Sequence, residues 1–335
     1  MKRFIISALA LLMLFTLVAG VSAQATWKPT KPINVIVPWG AGGSTDQITR
    51  LAAGELEAAL GTKLVIVNQP GASGSVGTKS VLDAPRDGYT WASGAAADLA
   101  TYGVQGMLDT DIRKDWHVYL SIANVMVVSV NASTPYKTFD ELLAAFKKSP
   151  GKISIATAGM SSAGHIGAEL IKRYTGIDYK HVTYDGGNPA VIGTISGEAQ
   201  VTTQLAVEQA DMIRGKKLRP LAVLSDQPLT LQGYGTIPPI TKWLPDFPSV
   251  GNRFGFFLPK DIPADAKEAI TAAFKTAAAS DAIKKFAADR GSKVVTLYGE
   301  EAEKEMEVKA SRVCWLLFES GVIKNSPDQY GIPKP

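Results

Sequence analysis

Two loops in this sequence carry the residue types best suited to chemistry. Pro38-Trp39-Gly40-Ala41-Gly42-Gly43-Ser44-Thr45-Asp46 follows an apolar run, and so does Thr157-Ala158-Gly159-Met160-Ser161-Ser162-Ala163-Gly164-His165. Each mixes glycines with hydroxyl residues and opens a segment of helical period. Glycine lets a backbone turn tightly and approach a ligand closely. The first-turn N–H groups of a helix lack intrahelical partners and sit at the positive end of its dipole. Such a loop holds an anion without lysine or arginine, and neither loop contains one. The alternative is that Ser44 or Thr45, and Ser161 or Ser162, act only as helix N-caps. Two matched loops favour an anion site. Asp46 reads as pinning its own loop, because it would repel an anionic ligand.

Enzymatic patterns fit less well. No Gly-x-x-x-x-Gly-Lys-Ser/Thr phosphate loop exists. Gly40-x-Gly42 would need a third glycine where Thr45 stands, and the second strand ends in Asn68 rather than an acid, so no dinucleotide cofactor is expected. Gly159 to Gly164 is one residue too long for a Gly-x-Ser-x-Gly elbow. His165, four residues past Ser161, either contacts a ligand carboxylate or caps its loop. An exported hydrolase using Ser161 and His165 is the alternative from another class. His117 and His181 read as ordinary strand or loop residues, and no histidine or cysteine pair has metal-ligand spacing. The lone Cys314 lies in an apolar stretch and reads as a buried thiol.

The elements that must position these loops follow an α/β pattern. Strands are expected at Ile33–Val37, Leu64–Val67, Tyr89–Ser93, Val125–Val130, Ile153–Thr157, His181–Tyr184, Val201–Leu205, Leu218–Leu224 and Lys293–Leu297. Helical stripes lie between them, and a last helix over 299–320 is expected to brace two lobes. Ser225 to Val250 is proline-rich without a period and reads as a long connection. Lys2 and Arg3, the apolar run from Phe4 and the small residues Val21-Ser22-Ala23 form a signal peptide over 1–23. Its run of roughly fifteen residues is short for a spanning helix, which needs about twenty. No cysteine stands there for lipoprotein modification. Periplasmic export follows. Lobe 1 is expected over 24–130 plus 251–335 and lobe 2 over 131–250. The net charge is only +4, two of it in Lys2 and Arg3, and no basic stripe occurs. Nucleic acid is not an expected partner.

Taken with Val67 to Gly77, Asp87-Gly88-Tyr89-Thr90, Ser149-Pro150-Gly151-Lys152 and Tyr184-Asp185-Gly186-Gly187-Asn188-Pro189-Ala190, these loops make the chain similar to the substrate-binding proteins of tripartite tricarboxylate transporters, the Bug/TctC type. The resemblance runs from about Pro32 to the C-terminal helix. It implies a two-lobed periplasmic-binding-protein fold, type II-like, each lobe a central sheet flanked by helices. It implies a monomeric, non-enzymatic receptor for a small organic carboxylate, delivering it to membrane permease subunits. By position, Trp39, Gly42, Gly43, Ser44 and Thr45 fall on one ligand loop and Gly159, Ser161, Ser162 and His165 on the other, with Tyr184, Asp185 and Gln204 completing the candidates. Trp39 either covers the acid or packs as a rim residue. A sensor docking a membrane signalling partner is a further alternative. The chain departs from the family at Gln200, where aspartate is usual, at Asp185, where lysine is common, and over Asp226–Trp243, which is longer. Gln200 and Asp185 are expected to affect which second ligand group is accepted.

Overall fold

The apolar runs become the central strands of two sheets. The computed structural model describes residues 27–249 and 251–335, so the expected signal segment lies outside the described residues. In the first sheet β1 (Ile33–Val37), β2 (Leu64–Asn68) and β3 (Thr90–Ala95) run parallel, joined by α1 (Ser44–Leu60) and α2 (Ser75–Leu82). Two short helices follow, α3 (Ala96–Thr101) and α4 (Ile112–Asp115), then β4 (Trp116–Val125). The second sheet contains β5 (Val127–Asn131), β6 (Ser154–Thr157), β7 (Lys180–Thr183), β8 (Val201–Thr202) and β9 (Leu218–Val223). Its helices are α5 (Phe139–Lys148), α6 (Ala163–Thr175), α7 (Gly187–Ser196) and α8 (Ala206–Arg214). A hairpin of β10 (Leu229–Leu231) and β11 (Gly235–Ile237) precedes the return along β12 (Gly251–Pro259). The first lobe is completed by α9 (Ala264–Ala278), α10 (Asp281–Arg290), β13 (Lys293–Tyr298) and α11 (Gly299–Glu319).

The strand orders are β13-β4-β12-β3-β1-β2 and β7-β6-β8-β5-β9. Both lobes share one plan: a first strand between the second and third, then an antiparallel strand arriving from the other lobe, then the fourth. β12 enters beside β3, and β5 enters beside β8. Each sheet is therefore complete only when the chain has crossed. Residues 127–131, read from the sequence as mostly the end of the first lobe, pair with β8 and β9 of the second sheet. The crossing thus falls at Met126 rather than near Asn131, because one long extended run passes from sheet to sheet and its apolar pattern does not change. The segment read as an aperiodic connection holds the β10–β11 hairpin, whose three-residue strands are too short to show alternation.

Trp91 and Phe256 are fully buried and meet edge to face at 5.8 Å, a geometry that adds about 1 kcal/mol to their burial. α11 packs on α3 and β4 and reaches α6 of the second lobe through Arg173–Glu319 at 2.7 Å. Among the described residues no helix is long and apolar enough to cross a membrane.

The β12–β4 ladder shifts register at Phe254/Gly255, and a Cβ at Gly255 would lie 1.8 Å from the Tyr119 carbonyl oxygen. Backbone cannot swing aside as a side chain can. Gly255→Ala is expected to lower unfolding stability by about 3 kcal/mol, read as a fall in the urea midpoint; an unchanged midpoint would mean that the bulge relaxes freely.

Candidate functional site

The carboxyl ends of β1, β3, β6 and β8 lead into helices α1, α3, α6 and α8, and their N-termini line one cleft between the lobes. Its wall includes Trp39, Ser44, Thr45, Asp98, Ser162 and Glu208. The space left is about 30 Å³, room for little more than a water molecule. The lobes are closed on each other, and any organic ligand needs them to part.

The central contact is a carboxyl group hydrogen-bonded to backbone across the cleft. Glu208, in the first turn of α8, crosses the cleft and accepts the Ser44 N–H at the start of α1 (2.9 Å). Its other oxygen accepts the Leu205 N–H (3.2 Å). Gln204, with its amide oriented to satisfy both ends, donates to Glu208 Oε2 (3.0 Å) and accepts the Ala158 N–H (2.6 Å). A Cβ at Gly187 would lie 1.9 Å from Glu208 Oε1, so only glycine leaves room for the carboxylate. Around this contact, Gly40 N–H donates to the Asp185 carbonyl (3.2 Å) and Ser161 Oγ to Gln105 Oε1 (2.9 Å), both across the cleft.

The first loop leaves the start of α1 without a side-chain cap. The N-cap is Gly43, so neither Ser44 nor Thr45 takes the capping role there. Gly42 has φ +79° and donates its N–H to Asp46 Oδ2 (2.9 Å). Burial works against the charge on Asp46, but Arg50, the Gly42 N–H and Asn68 together hold its carboxyl below the usual range. Asp46 pins its loop and stays out of the cleft. Trp39 is buried, its indole N–H donating to Asp98 Oδ2 (3.0 Å).

The second loop divides its labour. Ser162 is the N-cap of α6, accepting the His165 N–H (3.4 Å), and its residue lines the cleft. Gly159, at φ +114°, approaches Ser73 of the first lobe: a Cβ there would sit 3.2 Å from its hydroxyl. Ser161 takes φ +60°. Its N–H donates to His165 Nδ1 (3.0 Å), while its hydroxyl goes to Gln105. A hydrolytic dyad needs the hydroxyl itself on the imidazole, and that arrangement is not the one found. His165 turns inward, stacked on His181 at 4.5 Å. Burial, then the neighbouring His181 and Lys172, lower its pKa to about 3.

The candidates Tyr184 and Asp185, and the departure Gln200, sit away from the cavity. The Tyr184 hydroxyl donates to Glu198 (2.9 Å) and packs against α7 at Gly193. Asp185 is exposed and contributes only its carbonyl. Gln200 accepts from the Ser154 N–H (2.8 Å) and hydroxyl (2.6 Å) at the start of β6, at the far end of that strand from the ligand loop. The departures at Asp185 and Gln200 therefore do not place their side chains in the cleft.

Asp98 and Glu208 are the residues that sequence reading missed. Burial, then the charge of Glu208, raise Asp98 to about 7 against the opposing Trp39 hydrogen bond. Burial also raises Glu208, against the bonds from Ser44 and Leu205. Both occupy the third position of a helix, where an acid is common for local reasons, so nothing in the sequence set them apart.

Residues 48–314 match the tripartite tricarboxylate transporter family receptor. The UPF0065 protein in the tcbD-tcbE intergenic region of Pseudomonas sp. (strain P51) is 30% identical over 257 residues, 75% of each chain. A solved structure of a periplasmic transporter superposes with a TM-score of 0.81 at 29% identity, over 88% of this chain and 99% of that one. R. palustris Rpa4515, solved with adipate, gives 0.80 at 22% identity over the same shares.

Two outcomes follow from this geometry. A Cβ at Gly40 would lie 2.8 Å from the Asp185 carbonyl oxygen, a clash that exists only while the lobes are closed. Gly40→Ala is expected to raise the radius of gyration in small-angle scattering without moving the unfolding midpoint; equal scattering would show that closure tolerates the methyl. The second concerns pH. His165 has a folded pKa far below its unfolded value near 6.5, so its contribution to stability is full above pH 6.5 and is lost as pH falls toward 3, on the order of 1 kcal/mol per unit. Asp98 runs the other way: its folded pKa lies above the unfolded value of 3.8, so its contribution declines as pH rises toward 7. The two offset in the wild type. The melting-temperature advantage of wild type over His165→Asn should therefore shrink between pH 7.5 and 5, and a constant advantage would mean that His165 titrates normally.

Proposed function

The chain belongs to the tripartite tricarboxylate transporter receptor family, and from that premise we propose that it is a periplasmic solute-binding protein that captures a small organic carboxylate in this cleft and delivers it to the membrane subunits of such a transporter. One observation carries the reading: the N-terminus of α1 already holds a carboxylate, that of Glu208, through the Ser44 N–H. A seat that binds one carboxylate by a backbone N–H and a helix dipole suits another. The ligand acid enters when the lobes part, takes the Ser44 and Thr45 end of α1, and displaces Glu208. Ser162 and Gln204 meet it from the second lobe as the lobes close by hinge motion. The adipate bound by Rpa4515, a neighbour of the same fold, supports a small acid as the ligand class.

A second reading has its own observation. Asp98 and Glu208 both line the cleft and both are buried. A ligand that carries an ammonium beside its carboxylate would neutralise them, where a plain acid meets two of its own sign.

A thermal-shift panel on the chain from Gln24 onward separates the readings, because a ligand of the native state alone raises the melting temperature by mass action. Plain mono- and dicarboxylates are set against their amides and against the matching amino acids. A shift with acids and none with amides is expected, weakened in Thr45→Val with no loss of ligand-free stability. Glu208→Gln should tighten plain acids about tenfold if Glu208 competes with them, and loosen amino acids about tenfold if it pairs with an ammonium. No shift with any acid, on protein unfolded and refolded to free it of carried ligand, would overturn carboxylate capture.

A further inference from the structure

On the other side of the crossing strands lies a second and larger space, about 1180 Å³. Its floor is the crossing itself, Asn124, Val125 and Gly251. One wall comes from α11 and the turn before β13 in the first lobe, the other from the end of α6 and residues 225–230 in the second. The volume exceeds the few hundred to a thousand cubic ångströms of an ordinary small-molecule site, and nothing in the carboxylate-capture reading uses it.

The charges on its walls do not balance. Six cations line it: Arg173, Arg253, Lys293, Lys309, Arg312 and Lys334. Three are paired: Arg173 and Lys334 with Glu319, Arg253 with Glu305. Among the described residues Lys293, Lys309 and Arg312 have no carboxylate within ion-pair distance. The remaining acidic side chain, Asp226, is exposed and accepts from the Ser225 hydroxyl (3.3 Å). The Lys309 ammonium donates a hydrogen bond to the Gly251 carbonyl at the crossing.

Two further observations point to an occupant. Asn124 is 1% exposed, and among the described residues neither atom of its amide has a partner; the Arg253 Nε and the Ser292 hydroxyl are likewise unmatched on the same walls. Unmatched buried polar groups cost about 1–3 kcal/mol each and are uncommon in a native fold. The second observation is apolar. Tyr174 and Val308, both among the exposed large hydrophobic side chains, line this space, next to the part-buried Trp315 and Leu316.

We propose that this hinge-side cavity is a second ligand site, taking an organic anion with an apolar body, its charged group against Lys309, Arg312 and Lys293 and its body against Tyr174, Trp315 and Leu316. The occupant touches both lobes and the strands between them. The two sides of a hinge are reciprocal, so widening the cleft narrows this cavity. Binding here favours the closed arrangement.

The probes are 2-naphthoate and decanoate, with 2-naphthalenemethanol and decanamide as neutral controls, titrated into the chain from Gln24 onward by calorimetry and, for 2-naphthoate, by its fluorescence. A saturable site for both anions that persists in Thr45→Val is expected, with the neutral controls at least about tenfold weaker. The double variant Lys293→Ala/Arg312→Ala should weaken the anions about tenfold or more. Both side chains are exposed, so the fold is not at risk; Lys309→Met, which also releases the Gly251 carbonyl, serves as the stronger but less benign change. Thr45→Val, on the cleft side, should leave this binding as it is. Loss of binding in Thr45→Val with none in the double variant would place the anions in the cleft and overturn the proposal, as would equal binding of the neutral controls or no saturable binding at millimolar concentration. Failure of carboxylate capture in the cleft would leave these outcomes unchanged, so the two readings fail separately.

Discussion

The closed form of this protein turns on one carboxylate held between two lobes. Glu208 belongs to α8 by sequence but finds one of its hydrogen-bond donors on α1, across the cleft. A buried carboxylate without partners costs several kcal/mol, and one hydrogen-bonded by two or three N–H groups is tolerable. Here the donors are Ser44 N–H, Leu205 N–H and the Gln204 amide. Only the first is lost when the lobes part, and water replaces it. Closure by Glu208 is therefore a near-balanced exchange, as it must be in a receptor whose ligand decides which state wins. The glycines follow from the same constraint. Gly187 makes room for the carboxylate, and Gly40 lets the two backbones approach until they share a hydrogen bond.

A repeated local device sits beneath that contact. Asp46, Asp98, His165 and Glu208 occupy the third residue of α1, α3, α6 and α8, the four helices that open onto the cleft. Three of them reach back to an N–H just before their own helix: Asp46 to Gly42, His165 to Ser161 and Glu208 to Leu205. This is half of a capping box, which closes orphan donors at a helix start. Asp98 breaks the pattern by accepting the indole of Trp39. In the second lobe the same position has been drawn across the gap. A residue that looks like ordinary helix punctuation becomes the one that joins the lobes.

That disguise explains what was legible in the sequence and what was not. The glycine and hydroxyl loops stood out because their composition differs from the apolar strands before them, and the structure puts both on the cleft. The acids did not stand out, since a third-position acid has a sufficient local reason to exist. Tyr184 and Asp185 lie beside the cleft loops in the chain, yet the tyrosine turns under α7 and the aspartate lends only its carbonyl, because side-chain direction is decided by packing that spacing does not encode. β12 went unseen for a related reason. It runs through the middle of a sheet with both faces covered, so Phe254, Phe256, Phe257 and Leu258 show no alternation, and Gly255 interrupts the run. The crossing at Met126 left no mark because Val125, Met126, Val127 and Val128 run apolar straight through the change of sheet.

The duplicated strand plan makes the crossing more than a tether. β12 and β5 are each integral to a sheet built by the other stretch of chain, so the lobes cannot separate, only rotate about the strands that join them. Chemistry sits on both sides of that axis. Asp98 faces the cleft through Trp39, yet the charge of Lys309, which lines the hinge-side cavity, also acts on it and favours its ionised form. Burial and then the nearby Arg253 draw Lys309 down to about 8, so it still carries most of its charge at neutral pH. The two groups sit on helices in direct contact, Asp98 on α3 and Lys309 on α11. An anion that paired with Lys309 would weaken its hold on the charge of Asp98 and so relieve the repulsion between Asp98 and Glu208. Rotation about the hinge and the charge state of the cleft are then parts of one equilibrium.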